Sequence, residues 1–382
     1  MIYLDNAATT FPKPRGVLEQ MVRQYQRIGV SPGRGSYDLA TEAEALIRGT
    51  RRQVAGFFGA PDPERIIFTA NATDGLNLAI AGLIQPGDHV ITTRLEHNSV
   101  LRPIAHLERQ QLITCSLIPF DTLGFINPDD IAAAIRPKTR LVIVTHASNV
   151  LGTIQPVAEI GAICVRHGIP LLVDASQSAG QIKVDMTAMQ ASIIAFTGHK
   201  ALYGPTGIGG LAVHPEVDIR PTRFGGTGTE SESLLPSLVY PHRLEAGTPN
   251  LLGIIGLSLA IDYLLSRDLN EIYKQEMALL AHLHNGLSGI AGIEFLGGSD
   301  LSGRLPLLTV TLPGVAPEDI GAILDADFNI AVRVGLHCAP LVHETLGTAQ
   351  RGGVRFSLGH FNTAADIDRV IEAMGLIAKI HS

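Results

Sequence analysis

The chain has 382 residues, more than one hydrophobic core usually serves, so two domains or one large α/β domain with an appendage are expected. Apolar residues make up 46% of it and charged residues 17%, which excludes a chain disordered throughout. A net charge of −7 and the lack of a lysine-arginine run exclude long-range attraction for nucleic acid or an anionic membrane, and leave a small molecule as the expected substrate.

In chain order, the opening "MIYLDNAATT" lacks the basic and apolar segments of a secretory signal. Short β-rich runs then alternate with amphipathic segments: "RIIFTA", a helix over Thr73 to Ile84, "DHVITT", a helix beyond Asn98, "LITCSLIPF", "RLVIVTHAS", a helix over Val157 to His167, "IPLLVDAS" and "ASIIAF". That rhythm predicts a mainly parallel sheet covered on both faces, with ligands bound at the carboxyl ends of its strands. From about Asn250 the texture changes to longer helices, Leu251 to Leu265 and Leu269 to Leu287. Shorter strands follow, "LPLLTVTL", "IAVRVG" and "GVRFSLG", then a last helix from about Ala364. We read a large α/β domain over 14–255 and a smaller α+β domain over 256–382 joined by 1–13. The apolar stretch Leu251 to Leu265 contains Asp262 and is too short to span a bilayer. Cys115, Cys164 and Cys338 form no C-x-x-C pair, so no disulfide framework or cysteine-based metal site is expected, and a reducing cytoplasm fits best. Cys115 and Cys164 lie in apolar patterns and read as inert core residues.

The strand ends carry the chemistry. Asp174 closes "IPLLVD", where a carboxylate needs a partner. It reads either as a helix cap or as the partner of a cationic ligand atom such as a protonated pyridine nitrogen, with Gln177 reaching a neighbouring oxygen. Lys200 follows the next strand in "FTGHKALYGPTGIGG". A lysine and an aspartate at consecutive strand ends suit a pyridoxal phosphate enzyme, in which the amine condenses with the cofactor aldehyde and the carboxylate keeps the ring nitrogen protonated. Thr197 and His199 can bind a phosphate. The glycines of Gly204 to Gly210 allow close backbone approach and equally an ordinary tight turn. Asn71 to Thr73 offer a helix start as a second phosphate cradle, or a plain N-cap. His97 in "LEHNSV" is either structural or placed to lie against a planar cofactor and move protons.

The segments "YLDNAATT", "LEHNSV", "HASNVLGTIQP", "VDASQSAGQIKVD", "FTGHKALYGPTGIGGL", "RLEAGTPN", "VRVGLHCAP" and "VRFSLGHFNT" together resemble the cysteine desulfurase and selenocysteine lyase family of the class V aminotransferase superfamily. The resemblance spans nearly the whole chain. It implies the aspartate aminotransferase-like fold type I of pyridoxal 5'-phosphate enzymes, with a seven-stranded sheet, in a homodimer with active sites at the subunit interface. By that resemblance Lys200 would hold the cofactor, Asp174 would pair with the pyridine nitrogen and Gln177 with the phenolic oxygen. His97 would stack on the ring. Thr73, Thr197 and His199 would bind the phosphate, with Thr248 reaching it from the neighbouring subunit, while Asn149 and Arg355 would hold the substrate carboxylate.

Cys338 in "RVGLHCAP" reads from the residues alone as a buried thiol at a strand end or as a nucleophile beside Arg333. The resemblance favours the nucleophile: it would take sulfur from L-cysteine as a persulfide, releasing L-alanine, for delivery to an acceptor protein. Two departures from the family pattern stand out. Asn71-Ala72-Thr73 replaces a pair of threonines, which removes one side-chain contact to phosphate. Phe224 to Ser237, "FGGTGTESESLLPS", is longer and more polar than in the best-known desulfurases. The competing readings are a selenocysteine lyase acting on L-selenocysteine, another class V reaction (transamination or kynureninase-like cleavage) with Cys338 incidental, and a scaffold that delivers sulfur without catalysis.

Overall fold

The computed structural model describes residues 1–32, 35–228 and 232–380. Its centre is a seven-stranded sheet in the spatial order Ile66–Thr69, Gly209–Val213, Ile193–Thr197, Leu171–Asp174, Thr139–Thr145, Asp88–Thr93, Ile113–Ile118. All pairings are parallel except those of Gly209–Val213, which runs antiparallel to both neighbours, so the α/β, mainly parallel sheet expected from the strand rhythm is present. The central strands are apolar on both faces because helices cover both. Val142, Val144, Leu171 and Val173 face one core, while Leu141, Ile143, Leu172 and Ile193 face the other.

The glycine-rich stretch after Lys200 does more than turn the chain. Gly209 and Gly210 open the antiparallel strand. A Cβ on Gly209 would lie 2.7 Å from the Phe196 carbonyl oxygen and 2.8 Å from the Asn71 backbone, and one on Gly210 would lie 2.3 Å from the Ile67 carbonyl. Only glycine lets this strand slide in beneath the Asn71 turn.

Two long helices precede the sheet, Val17–Ile28 and Asp38–Phe58, and both pack on Leu251–Leu265. The last helix runs without a break across residues 255 and 256, and Leu257, Ala260, Ile261 and Leu264 are buried in the same core as the sheet. A second core gathers a four-stranded antiparallel sheet (Glu294–Phe295, Leu307–Thr311, Gly353–Ser357, Arg333–Gly335) under the helices Leu269–Ser288, Pro317–Phe328 and Ala364–Ile380. Ile2 and Leu4 of the N-terminal segment belong to this second core, and Ile2–Tyr3 pairs in parallel with Ile330–Ala331. "IAVRVG" therefore splits into two strands serving two sheets. Of the stretch Phe224 to Ser237, residues 229–231 lie outside the described residues, and Phe224, Leu234 and Leu235 are exposed. Burial pushes the thiols of Cys164 and the half-buried Cys115 up to about 12, as befits unreactive residues.

Candidate active site

Strand register sets the site. Thr145 stands level with Asp174, and Asp174 with Ala195, so the carboxyl ends of adjacent strands deliver Thr145, Asp174 and Thr197 to one rim. His97 arrives from the turn after Asp88–Thr93, and Lys200 from the turn after Ile193–Thr197. Together with Ala7, Ala8, Asn71 to Thr73, Ser99, Asn149, Gln177, His199, Arg333 and Arg355 they enclose a cavity of about 290 Å³. That is close to the lower end, roughly 300 Å³, of small-molecule sites.

One end of the cavity is built for an anion. The helix Ala72–Leu83 starts there, capped by the Asn71 side chain, which accepts from the Asp74 N–H. Its positive dipole end lies at Ala72 and Thr73. Thr197 Oγ1 and His199 Nδ1 are buried and have no hydrogen-bond partner among the described residues. Such orphaned polar atoms call for a ligand. Burial, with Lys200 and Lys13 adding repulsion, lowers His199 to about 4, so its ring is neutral.

Lys200 lines the same cavity. Burial lowers its amine to about 8, Arg355 and Arg333 push it the same way, and Asp174 opposes them. The Lys200 turn is pinned from the N-terminal segment: the His199 carbonyl accepts from the Thr10 N–H (3.1 Å), Thr9 Oγ1 (3.1 Å) and Lys13 Nζ (2.6 Å). Asp174 Oδ1 accepts from the N–H and Oγ of Ser176 at 2.9 and 2.5 Å. Gln177 Nε2 donates to the Ala7 carbonyl at 3.0 Å. Such a set can hold an anion, a cationic ring nitrogen and a carbonyl carbon that a neutral amine attacks.

Arg355 is buried and donates to the Asn149 carbonyl (2.9 Å) and to Asp5 Oδ1 (2.7 Å), while its Nε has no partner. The Asn149 amide donates to the His337 carbonyl at 2.6 Å and so holds the cysteine loop. That loop is strained: His337 and Cys338 both take left-handed backbone angles, φ 50° and 60°. The Asn98 N–H donates to the Cys338 carbonyl at 2.8 Å, fixing the second residue of the pair. Arg333 donates to Cys338 Sγ at 3.3 Å, which brings a guanidinium to the sulfur. Cys338 does not line the 290 Å³ cavity. It lines an adjoining groove of about 560 Å³ that shares Thr73, His97 and Ser99 with it. Thr248 is not among the residues around the cavity either; it lines a separate groove of about 750 Å³ beside Arg223 and Asn250.

Sequence reasoning did not single out Asp5 or Ser99, and it offers Ser176 only as an alternative to Asp174 for a helix cap. Asp5 and Ser99 sit inside "YLDNAATT" and "LEHNSV", but nothing local marks them as partners of Arg355 and Thr73. Among the described residues no group of histidines, cysteines and acids could hold a metal ion, and no helix is long and apolar enough to cross a membrane.

The family model for aminotransferase class-V matches residues 2–370. The chain is 37% identical over 384 residues to a protein of Methanothermobacter thermautotrophicus named probable cysteine desulfurase, covering 99% of this chain and 94% of that one. It is 34% identical to the cysteine desulfurase of Cronobacter sakazakii, over 100% and 93%. Among solved structures, the apo cysteine desulfurase of Thermococcus onnurineus NA1 superposes with a TM-score of 0.93 at 36% identity, covering 99% of this chain and 94% of that one. The cysteine desulfurase CsdA of Escherichia coli gives 0.89 at 28%, over 100% and 95%. Similarity of this extent along the whole chain, together with the strand-end lysine and aspartate, places the protein in the aminotransferase class-V family.

Proposed function

We propose that the chain is a pyridoxal 5'-phosphate-dependent cysteine desulfurase that converts L-cysteine to L-alanine and keeps the sulfur as a persulfide on Cys338. The observation that carries this reading is the cysteine loop: two successive left-handed residues, held by Asn98 and Asn149, present a thiol beside Arg333 in a groove that adjoins the cavity containing Lys200 and Asp174. The residues present fit the cofactor. Thr197, His199 and the start of the helix at Ala72 would hold its phosphate, Asp174 its ring nitrogen, and Lys200 its aldehyde. When bound, it supplies an electron sink that makes the substrate α-carbon acidic and loosens the bond from β-carbon to sulfur.

The chain does the rest. A Lys200 amine lowered to about 8 is neutral in a useful fraction at physiological pH and can take the α-proton. Arg355 offers its free Nε to the substrate carboxylate. Arg333 donates to Cys338 Sγ and so fixes its position for attack on the substrate sulfur: the bond from sulfur to β-carbon breaks, a bond between the two sulfurs forms, and the β-carbon gains a proton as alanine leaves. The resulting persulfide suits a sulfur acceptor, and a homodimer would bring Thr248 of a second copy to the phosphate.

The test is turnover of L-cysteine by the reconstituted protein and by its Cys338→Ala variant, with alanine and persulfide sulfur measured together. Equal yields from the native protein and none from the variant, at unchanged cofactor content, are expected. Undiminished alanine from the variant would assign the site to a different class V reaction. L-selenocysteine, whose selenium leaves more easily, is expected to tolerate the variant better than L-cysteine.

A further inference from the structure

Ser99 is buried at the border of the cavity and the Cys338 groove and touches both the anion cradle and the histidine. Its N–H donates to His97 Nδ1 at 3.0 Å, closing the cap of the helix Asn98–Arg109. A backbone N–H can only donate, so Nδ1 carries no proton and the neutral ring carries it on Nε2. Ser99 Oγ lies 2.8 Å from the same Nδ1 and 2.6 Å from Thr73 Oγ1. Facing a bare nitrogen, Ser99 Oγ donates to it and accepts from Thr73. The Thr73 proton is then committed inward.

We infer that Ser99 is a positioning residue whose single hydroxyl proton couples anion binding at Thr73 to the ring of His97. The inference rests on the reading of the cavity as a phosphate site. When an anion accepts the Thr73 proton, the 2.6 Å contact survives only if Ser99 turns its proton onto Thr73 Oγ1. His97 Nδ1 then keeps the backbone N–H alone and the ring becomes more basic. The charges acting on that ring are Lys200, Arg333 and Arg102, which lower its affinity for a proton, and Asp174, which raises it; burial dominates and sets it at about 4. One hydroxyl pair thereby tells the histidine whether the cradle is filled. The same pair adds a hydroxyl beside the one threonine that "NAT" leaves at the start of the helix.

The experiment is nitrogen-15 NMR of the full-length, cofactor-free protein labelled at histidine and titrated with inorganic phosphate at pH 7.5. The His97 signals are assigned by their loss in His97→Gln. In the native protein Nδ1 is expected to resonate as an unprotonated nitrogen and to shift downfield as phosphate binds. Ser99→Ala and Thr73→Val should abolish that shift, and Ser99→Thr should retain it. A protonated Nδ1, or an unchanged phosphate response in Ser99→Ala, overturns the inference. With the cofactor restored, Ser99→Ala should lower kcat and move the acidic limb of the kcat profile relative to native protein and Ser99→Thr. A loss of melting temperature with an unmoved profile would make Ser99 merely structural and also overturn it. A native protein that shows the phosphate response yet forms no alanine from L-cysteine would sink the proposed reaction and leave this inference standing.

Discussion

Lys200 should titrate near 8 in the cofactor-free protein, against 10.5 for an ordinary lysine. At pH 7 the neutral fraction is then roughly 9%, where an unperturbed lysine has roughly 0.03%, an advantage of about 300-fold in reactive amine. The same displacement corresponds to a destabilisation of about 3 kcal/mol for the charged amine in the folded state. The sign follows from proton counting. Below pH 8 both folded and unfolded chains hold the proton and the full penalty applies. Between 8 and 10.5 the unfolded chain binds more protons, so stability rises with pH and the penalty fades. Competitive acylation with a trace amine reagent from pH 6 to 11, read peptide by peptide by mass spectrometry, isolates this lysine from the others. A midpoint near 8 is expected, moving lower in Asp174→Asn, because the aspartate opposes the shift, and higher when Arg333 is replaced by Met. Lys200→Met should stabilise the cofactor-free protein at pH 7 by up to about 3 kcal/mol. A midpoint near 10.5, or insensitivity to Asp174→Asn, would refute the account of how the amine is prepared.

Glu96 is buried, with Oε1 accepting from Thr93 Oγ1 (2.7 Å) and the Thr145 N–H (2.9 Å) and Oε2 without a partner. Burial, aided by Asp174, pushes its carboxyl up to about 8. A folded value above the unfolded one means stability is complete below about 4.5 and is lost as pH rises through 8. Glu96→Gln should therefore gain on the native protein across that window in urea midpoints, by several kcal/mol at most; parallel curves would contradict the neutral carboxyl. Glu245 accepts from both terminal nitrogens of the buried Arg51 and from the Phe68 N–H, tying the helix Asp38–Phe58 to the edge strand of the sheet. Glu245→Ala should lose about 3–5 kcal/mol in denaturant titration, and a loss below about 1 kcal/mol would show the pair to be solvent-relaxed.

The parallel sheet was legible because a strand covered on both faces must be apolar along its length, as "RLVIVT" and "IPLLVD" are. That same rule leads to Asp174 and Thr197, since the first polar residue after such a run lies at the rim where ligands bind. The helices Val17–Ile28 and Asp38–Phe58 were not read; the helix they pack on, Leu251–Leu265, lies far along the chain, so nothing in their own neighbourhood of the sequence shows what their apolar faces cover. The antiparallel strand Gly209–Val213 was not read, its first two residues falling in the stretch Gly204 to Gly210 that reads as a close approach or a tight turn, for a related reason: its glycines answer to the Phe196, Ile67 and Asn71 backbones, neighbours in space and not in sequence. His97 and Ser99 stand two residues apart in one short motif, yet the link from Ser99 to Thr73 joins two helices and exists only in the fold.

The cysteine loop was the least legible part, and its electrostatics show why it takes the shape it does. Arg333 and Arg355 stand directly opposite each other on antiparallel strands, a like-charge pairing that on its own disfavours the sheet. Each has acquired its own anionic or polarisable partner: Asp5 Oδ1 at 2.7 Å for Arg355, and Cys338 Sγ at 3.3 Å for Arg333. His337 and Cys338 take left-handed angles, and their carbonyls accept from the Asn149 side chain and the Asn98 N–H, which hold the loop in that shape. If Arg355 holds the substrate carboxylate as proposed, two of its three nitrogens are already taken, so the carboxylate would bind at Nε or displace Asp5, and the N-terminal segment that carries Asp5 would become part of what the substrate must accommodate.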